Sequence, residues 1–132
     1  MTLYRVHGDE TGETHLATLE LPEIDVHSEG VARIRGLVGI PATSAGVVEL
    51  LEPTPSQDLH PAPERRLLVF LSGETEIRTT SGDRLVLKAG DCLLADDVGT
   101  KGHYTTDIGD EPRTMVTISV PPDWELPVRP HS

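Results

Sequence analysis

The sequence has few of the residues that stabilise or mark several protein classes. It contains one cysteine, Cys92, so an internal disulfide is excluded and a reducing cytoplasm is the expected location. We expect Cys92 to pack in the wall of the domain as an ordinary strand residue. Aromatic residues make up only 3% of the chain, so the core must be built from Val, Leu and Ile.

Positive charge and long apolar runs are also scarce. Eleven Lys and Arg stand against 22 Asp and Glu, giving a net charge of −11, which argues against nucleic acid and anionic membranes as partners. No apolar run approaches the roughly 20 residues of a membrane helix. The first ten residues, MTLYRVHGDE, lack the basic start and apolar stretch of a secretory signal. We therefore expect a soluble cytoplasmic protein.

What the chain does contain is glycine, proline and short alternating apolar segments. The 12 glycines and 11 prolines suit many short strands joined by tight turns, and no segment shows a sustained helical period. The pattern predicts one all-β domain over residues 1–132, in which residues 121–132 form a proline-rich tail, either clamped by Trp124 or frayed. Residues 22–30 read as irregular, and strands are predicted at 2–7, 14–21, 31–40, 46–51, 65–71, 74–80, 83–88, 91–95 and 113–120.

One stretch, residues 59–103, organises the rest. It reads LHPAPERRLLVFLSGETEIRTTSGDRLVLKAGDCLLADDVGTKGH, with a Pro-flanked histidine at one end and a histidine after a Gly-rich turn at the other. This stretch resembles the two short motifs of the cupin superfamily. Counting back from Gly73 places Arg66 at the usual glutamate, Ala62 at the second histidine and His60 at the first. Gly90 opens the second motif, and His103 is its histidine.

The resemblance extends to a branch of small single-domain cupins. Several segments are similar to that branch: HPAP, LSGE, a Gly-Asp pair, and an acidic pair before a Lys-Gly-His ending. The Gly-Glu-Thr-His segment at residues 12–15 is similar to it as well. The resemblance implies a single jelly-roll-like cupin β-barrel of two antiparallel sheets. It also implies a homodimer, in which a strand such as 14–21 could cover the partner's sheet edge. It says little about activity, because one barrel hosts many functions.

Two histidines meeting inside a barrel are the strongest chemical feature. Imidazole is a common general acid or base near neutral pH, so His60 and His103 are the predicted catalytic residues. Five further residues are candidates for substrate binding: Arg66, Asp96, Asp97, Lys101 and His15. Arg66 would hold an anionic group, and His15 could line the pocket. The acidic pair and Lys101 could form a loop over the barrel mouth, or one of the two aspartates could pair with Arg66.

Arg66 also bears on whether a metal is bound. If Arg66 points inward, it cannot lose its proton, and it would oppose a dication about 4 Å away by roughly 8 kcal/mol at an effective dielectric near 20. The sequence thus favours a site without a cofactor. If Arg66 instead turns to the rim, a divalent transition metal could be held by His60, His103 and Asp96.

Three functions from different classes fit these residues. The first is a lyase, isomerase or cyclase that needs no metal and moves protons on a small organic anion. The second is a metal-dependent oxygenase or hydrolase with a reduced ligand set. The third is a binding or sensory cupin without turnover. The partner in each case is a small organic molecule.

Overall fold

The computed structural model describes residues 1–37, 39–52, 58–127 and 129–130, and these residues form strands and turns without a helix. The twelve strands are β1 Thr2–Gly8, β2 Thr14–Glu20, β3 Glu23–Glu29, β4 Ala32–Leu37, β5 Ser44–Leu50, β6 Arg66–Ser72, β7 Glu74–Thr79, β8 Arg84–Leu87, β9 Cys92–Asp96, β10 His103–Ile108, β11 Arg113–Ser119 and β12 Arg129–Pro130. No membrane-spanning helix occurs in these ranges.

The strands form three sheets. The large sheet has the order β12-β2-β1-β9-β6-β11-β5, the small sheet has the order β10-β7-β8, and β3 and β4 form a hairpin of their own. All strand pairs are antiparallel except β1 with β9, which is parallel. The all-β prediction is confirmed, and the larger sheets pack as a jelly-roll-like sandwich that stays open rather than closing into a barrel.

The large sheet is covered on both faces. Side chains from its inner face, including Val6, Phe70 and Leu93, pack against Ile77 and Leu87 of the small sheet. The outer face carries a second apolar cluster, comprising Leu3, Leu21, Leu67, Cys92, Leu94 and Val120. Burial on both faces explains why the central strand β9 reads as a continuous apolar run rather than as an alternating one.

The C-terminal tail helps to cover the outer face, as the first of the two alternatives for it predicted. Trp124 packs against the outer cluster, and the Arg65 guanidinium lies 5.7 Å from the centre of its ring. Arg65 also donates a hydrogen bond to the Trp124 carbonyl at 2.5 Å. Farther along the tail, β12 pairs with Leu19 and Glu20 of β2. His131, Ser132 and the Glu52–Gln57 connection beyond Glu52 lie outside the described residues.

Several sequence predictions are confirmed, one is wrong, and strand β10 was not among the predicted strands. The hairpin about Ser81-Gly82 forms as expected, with a φ of 97° at Gly82. The region 22–30, predicted to be irregular, instead contains strand β3. This strand is exposed along nearly its whole length and has a register shift between Ile24 and His27, where Asp25 has a φ of 50°. Without a buried face, it leaves no alternating pattern to detect. The homodimer stays a prediction.

Candidate active site

A cavity of about 190 Å³ lies between the two larger sheets. Apolar side chains such as Leu68, Phe70 and Met115 form most of its wall. Its polar lining consists of two histidines, two arginines and two threonines: His60, His103, Arg66, Arg113, Thr105 and Thr117. Within the described ranges, no carboxylate lines it. The permanently charged side chains of the lining are therefore both cationic, although the whole chain carries a net charge of −11.

The structure brings the two predicted histidines together. The His60 backbone N–H donates to the His103 carbonyl at 3.3 Å, and the His103 N–H donates to the His60 carbonyl at 3.0 Å. Their ring centres are 5.5 Å apart. Gly102 permits this approach, because a Cβ there would lie 2.1 Å from the His60 carbonyl carbon and because its φ is +90°. His60 is exposed at the mouth, whereas His103 is buried.

Asp97 contacts the His103 ring at Nδ1. Its side chain is fully buried, and its Oδ2 lies 2.6 Å from His103 Nδ1. Its other oxygen, Oδ1, accepts a hydrogen bond of 3.0 Å from the Ala62 backbone N–H. A carboxylate at Nδ1 favours the tautomer with the proton on that nitrogen, which leaves Nε2 as the acceptor nitrogen of the neutral ring. The sequence predicts substrate binding for Asp97, but Asp97 is not among the residues that line the cavity.

The loop that carries these residues is supported by the N-terminal Gly-Glu-Thr-His segment. The Thr14 hydroxyl, which is fully buried, donates to the Gly102 carbonyl at 2.8 Å. Within the loop, the Thr100 hydroxyl donates to the Asp97 carbonyl at 2.6 Å and accepts from the Gly102 N–H at 3.0 Å. Two segments far apart in sequence thus fix the position of His103.

Asp96 faces away from the cavity. It pairs with Arg5 at 2.6 Å and with Arg65 at 2.8 Å. It lines a second, separate pocket, which also contains Arg65. Residues 96 and 97 are neighbours in the sequence whose side chains point to different places. The acidic pair therefore divides into one residue that orients His103 and one that neutralises arginines.

Two other substrate-binding candidates also lie outside the cavity. Lys101 is exposed and pairs with Glu13. His15 is half-exposed, and its Nε2 lies 2.7 Å from Asp9 Oδ2. Neither residue is placed to touch a molecule bound between the sheets, so their predicted role in binding draws no support from this geometry.

Arg66 does line the cavity, as the inward alternative required. It is the first residue of β6 and lies opposite Ala95 and Ser119 on the neighbouring strands. It is half-buried near the histidines at the mouth. A guanidinium here presents a fixed charge and several donors to an anionic group.

Arg113 is a cavity residue that sequence reasoning missed. It is 7% exposed, and its Nε lies 3.3 Å from Asp107 Oδ1. The direction of that contact does not meet the requirements of a hydrogen bond, so the contact through Nε is ionic only. Burial lowers the pKa of Arg113, and the charge of Asp107 opposes that shift. The alternation of the strand could have predicted this position, because Arg113 shares a strand face with Met115 and Thr117, which also line the cavity.

The residues present do not fit a three-ligand metal site. His60 and His103 could each offer an Nε2, but Asp96, the expected carboxylate ligand, is engaged with Arg5 and Arg65 elsewhere. No group of three His, Cys, Asp or Glu suited to a metal ion occurs in the described part of the chain. Arg66 adds a permanent positive charge to the same cavity. We therefore derive no chemical step from a metal.

Comparison with known proteins adds little to this picture. No family model and no curated protein matches the chain. One similar solved structure is the crystal structure of protein NMB1881 from Neisseria meningitidis, which is 12% identical. The match covers 57% of this chain and 71% of that one, with a TM-score of 0.40. A likeness of this degree carries no argument about the site or its chemistry.

Proposed function

We propose that this chain is a small-molecule-binding cupin that catalyses proton transfer on a small organic anion without a metal. The observation that carries the proposal is the buried Asp97–His103 pair at the edge of a cavity lined by two arginines. A carboxylate that holds one ring nitrogen both orients the imidazole and stabilises the imidazolium formed when the other nitrogen takes a proton. His103 is thereby suited to act as a general base.

The other cavity residues supply the remaining functions. Arg66 binds a carboxylate or the carbonyl oxygen next to the reacting carbon. His103 Nε2 removes a proton from that carbon, and the C–H electron pair moves onto the oxygen held by Arg66. His60, which is exposed at the mouth, exchanges protons with solvent and protonates either a leaving group or a neighbouring carbon. The outcome is elimination in the first case and isomerisation in the second.

Apolar walls support the proposed chemistry in two ways. Leu68, Phe70 and Leu93 make the cavity walls apolar, so a bond between a carboxylate and the half-buried Arg66 is stronger there than at the open surface. A volume of about 190 Å³ is below the usual range of pockets for drug-sized ligands, which limits the substrate to a few carbon atoms.

Deuterium exchange tests this proposal whatever the product of the reaction is. The protein is incubated in D₂O with a panel of small keto, hydroxy and unsaturated acids, with and without a metal chelator, and the loss of C–H signals is followed by NMR. We expect exchange or conversion of at least one acid, unaffected by the chelator. Binding without exchange would reduce the site to a binding role. Exchange abolished by the chelator would show metal dependence. Either result would contradict the proposal.

A further inference from the structure

The cavity contains a second cation, Arg113, which the proposed chemistry does not use. We propose that Arg113 is an anion-binding residue at the closed end of the cavity, and that the ligand is a short acid with an anionic group at each end. This inference rests on the proposed binding of an organic anion and narrows it to the class of small dicarboxylates. Three features of the cavity support it.

The first feature is the state of the Arg113 side chain. It is more than nine-tenths buried, and its Nε donates no hydrogen bond within the described ranges. A guanidinium has five N–H donors, and buried donors are nearly always satisfied. Asp107 offers charge to Nε at 3.3 Å but no aligned hydrogen bond, and it does not line the cavity. An anion in the cavity would supply both the charge and the acceptors that such a buried guanidinium needs.

The second feature is the placement of the two arginines. Arg66 begins β6 and pairs with Ser119 near the end of β11, whereas Arg113 begins β11. These strands are antiparallel, so the two arginines enter the same cavity from opposite ends. Six residues of strand separate their register positions, or about 20 Å between Cα atoms at about 3.4 Å per residue. Both long side chains reach into the space between.

The third feature is which end is open. Arg66 stands with His60 and His103, and His60 is exposed there. At the other end, the side chain of Asp107 is 2% exposed, and Gly73 lies directly against the Arg113 backbone, since a Cβ at Gly73 would be 3.1 Å from the Arg113 Cα. An acid bound with one end on Arg113 therefore presents its other end to Arg66 and the two histidines.

Paired acids of equal length test this inference. Butanoate is compared with butanedioate, and pentanoate with pentanedioate, by NMR titration of the wild-type protein. A hydrogen-bonded ion pair with a buried arginine predicts that the diacid binds about tenfold more tightly, or better. Arg113→Gln should remove this preference and leave monoacid binding in place. Equal affinities of monoacid and diacid in the wild type would overturn the inference.

A second measurement protects the test if Arg113→Gln does not fold. The Arg113 Nε–H signal, assigned by its loss in Arg113→Lys, should shift on adding butanedioate and stay unchanged with butanoate. An unchanged signal with a bound diacid would contradict the inference. The inference about Arg113 can fail while the proposed function holds. If monoacids bind and exchange protons but diacids bind no more tightly, only the role of Arg113 is refuted. If no acid of either kind binds, both are refuted.

Discussion

Asp97 Oδ2 lies 2.6 Å from His103 Nδ1, and the carboxylate that makes this contact is completely buried. Its second oxygen is occupied by the Ala62 N–H, so the carboxylate is fixed at both oxygens. The Ala62 backbone thus anchors the carboxylate that orients His103.

The tautomer of His103 should depend on Asp97. In the wild type we expect the neutral ring to carry its proton on Nδ1, as seen in long-range ¹H–¹⁵N spectra of the histidine side chains. Asp97→Asn removes the charge that selects this form, so the ring should become a mixture of tautomers. Asp96→Asn is the matched control, because it removes the neighbouring charge without touching His103. A wild-type ring protonated on Nε2 would contradict the proposed base.

Gly102 should be far less tolerant of substitution than Gly99. Both have positive φ, +90° and +75°, so alanine costs about 1–2 kcal/mol at either position. Only at Gly102 would the added Cβ meet backbone, 2.1 Å from the His60 carbonyl carbon, which adds about 1–3 kcal/mol of strain. Urea unfolding should therefore show a loss of about 2–5 kcal/mol for Gly102→Ala and about 1–2 kcal/mol for Gly99→Ala. Equal losses would mean that the backbones of Gly102 and His60 are not in contact.

Cys92 should make stability fall at alkaline pH. Burial raises the pKa of its thiol to about 11, whereas the unfolded thiol ionises near 8.5. Between these values the unfolded state loses its proton first, so the free energy of unfolding decreases as pH rises, by at most about 1.4 kcal/mol per unit. Cys92→Ala lowers stability at all pH values but lacks this slope. Parallel pH profiles for wild type and variant would show that the thiol is not buried.

Metal uptake should follow the charge of residue 66. Purified wild-type protein should carry well under one equivalent of any transition metal by elemental analysis. Ala62→His with Arg66→Gln adds an imidazole and removes the cation, so zinc affinity should rise. Ala62→His alone is the control, since it adds the ligand but keeps the opposing charge. A full equivalent in the wild type, lost on His60→Ala or His103→Ala, would refute the metal-free account.

The sequence predicted the fold well because burial leaves a period-two pattern. Strands with a buried face, such as β6 and β11, were placed within a residue or two of their ends. Strand β3 was missed because no face of it is buried, and strand β10 was missed because its buried residues, His103 and Thr105, are polar. The pairing of β1 with β9 is a contact between distant segments, which no local pattern reveals.

The sequence identified the site residues that belong to short motifs, but it did not show in which direction neighbouring side chains point. The resemblance to two cupin motifs predicted that His60 and His103 meet, whereas the sequence left open whether Arg66 points inward or turns to the rim. The different roles of Asp96 and Asp97 could not be predicted, because the direction of each side chain depends on the turn at residues 97–102. Asp97 points at His103, and Asp96 points at Arg5 and Arg65.

The central claim is that His103 moves a proton on a bound organic acid, and the rate of solvent deuterium exchange into that acid measures it directly. Positioned acid–base catalysis is typically worth about 10²- to 10⁴-fold, so His103→Gln should slow exchange by a factor in this range. His27→Gln, on the exposed strand β3, should leave the rate unchanged. An exchange rate in His103→Gln equal to that of the wild type would contradict the account.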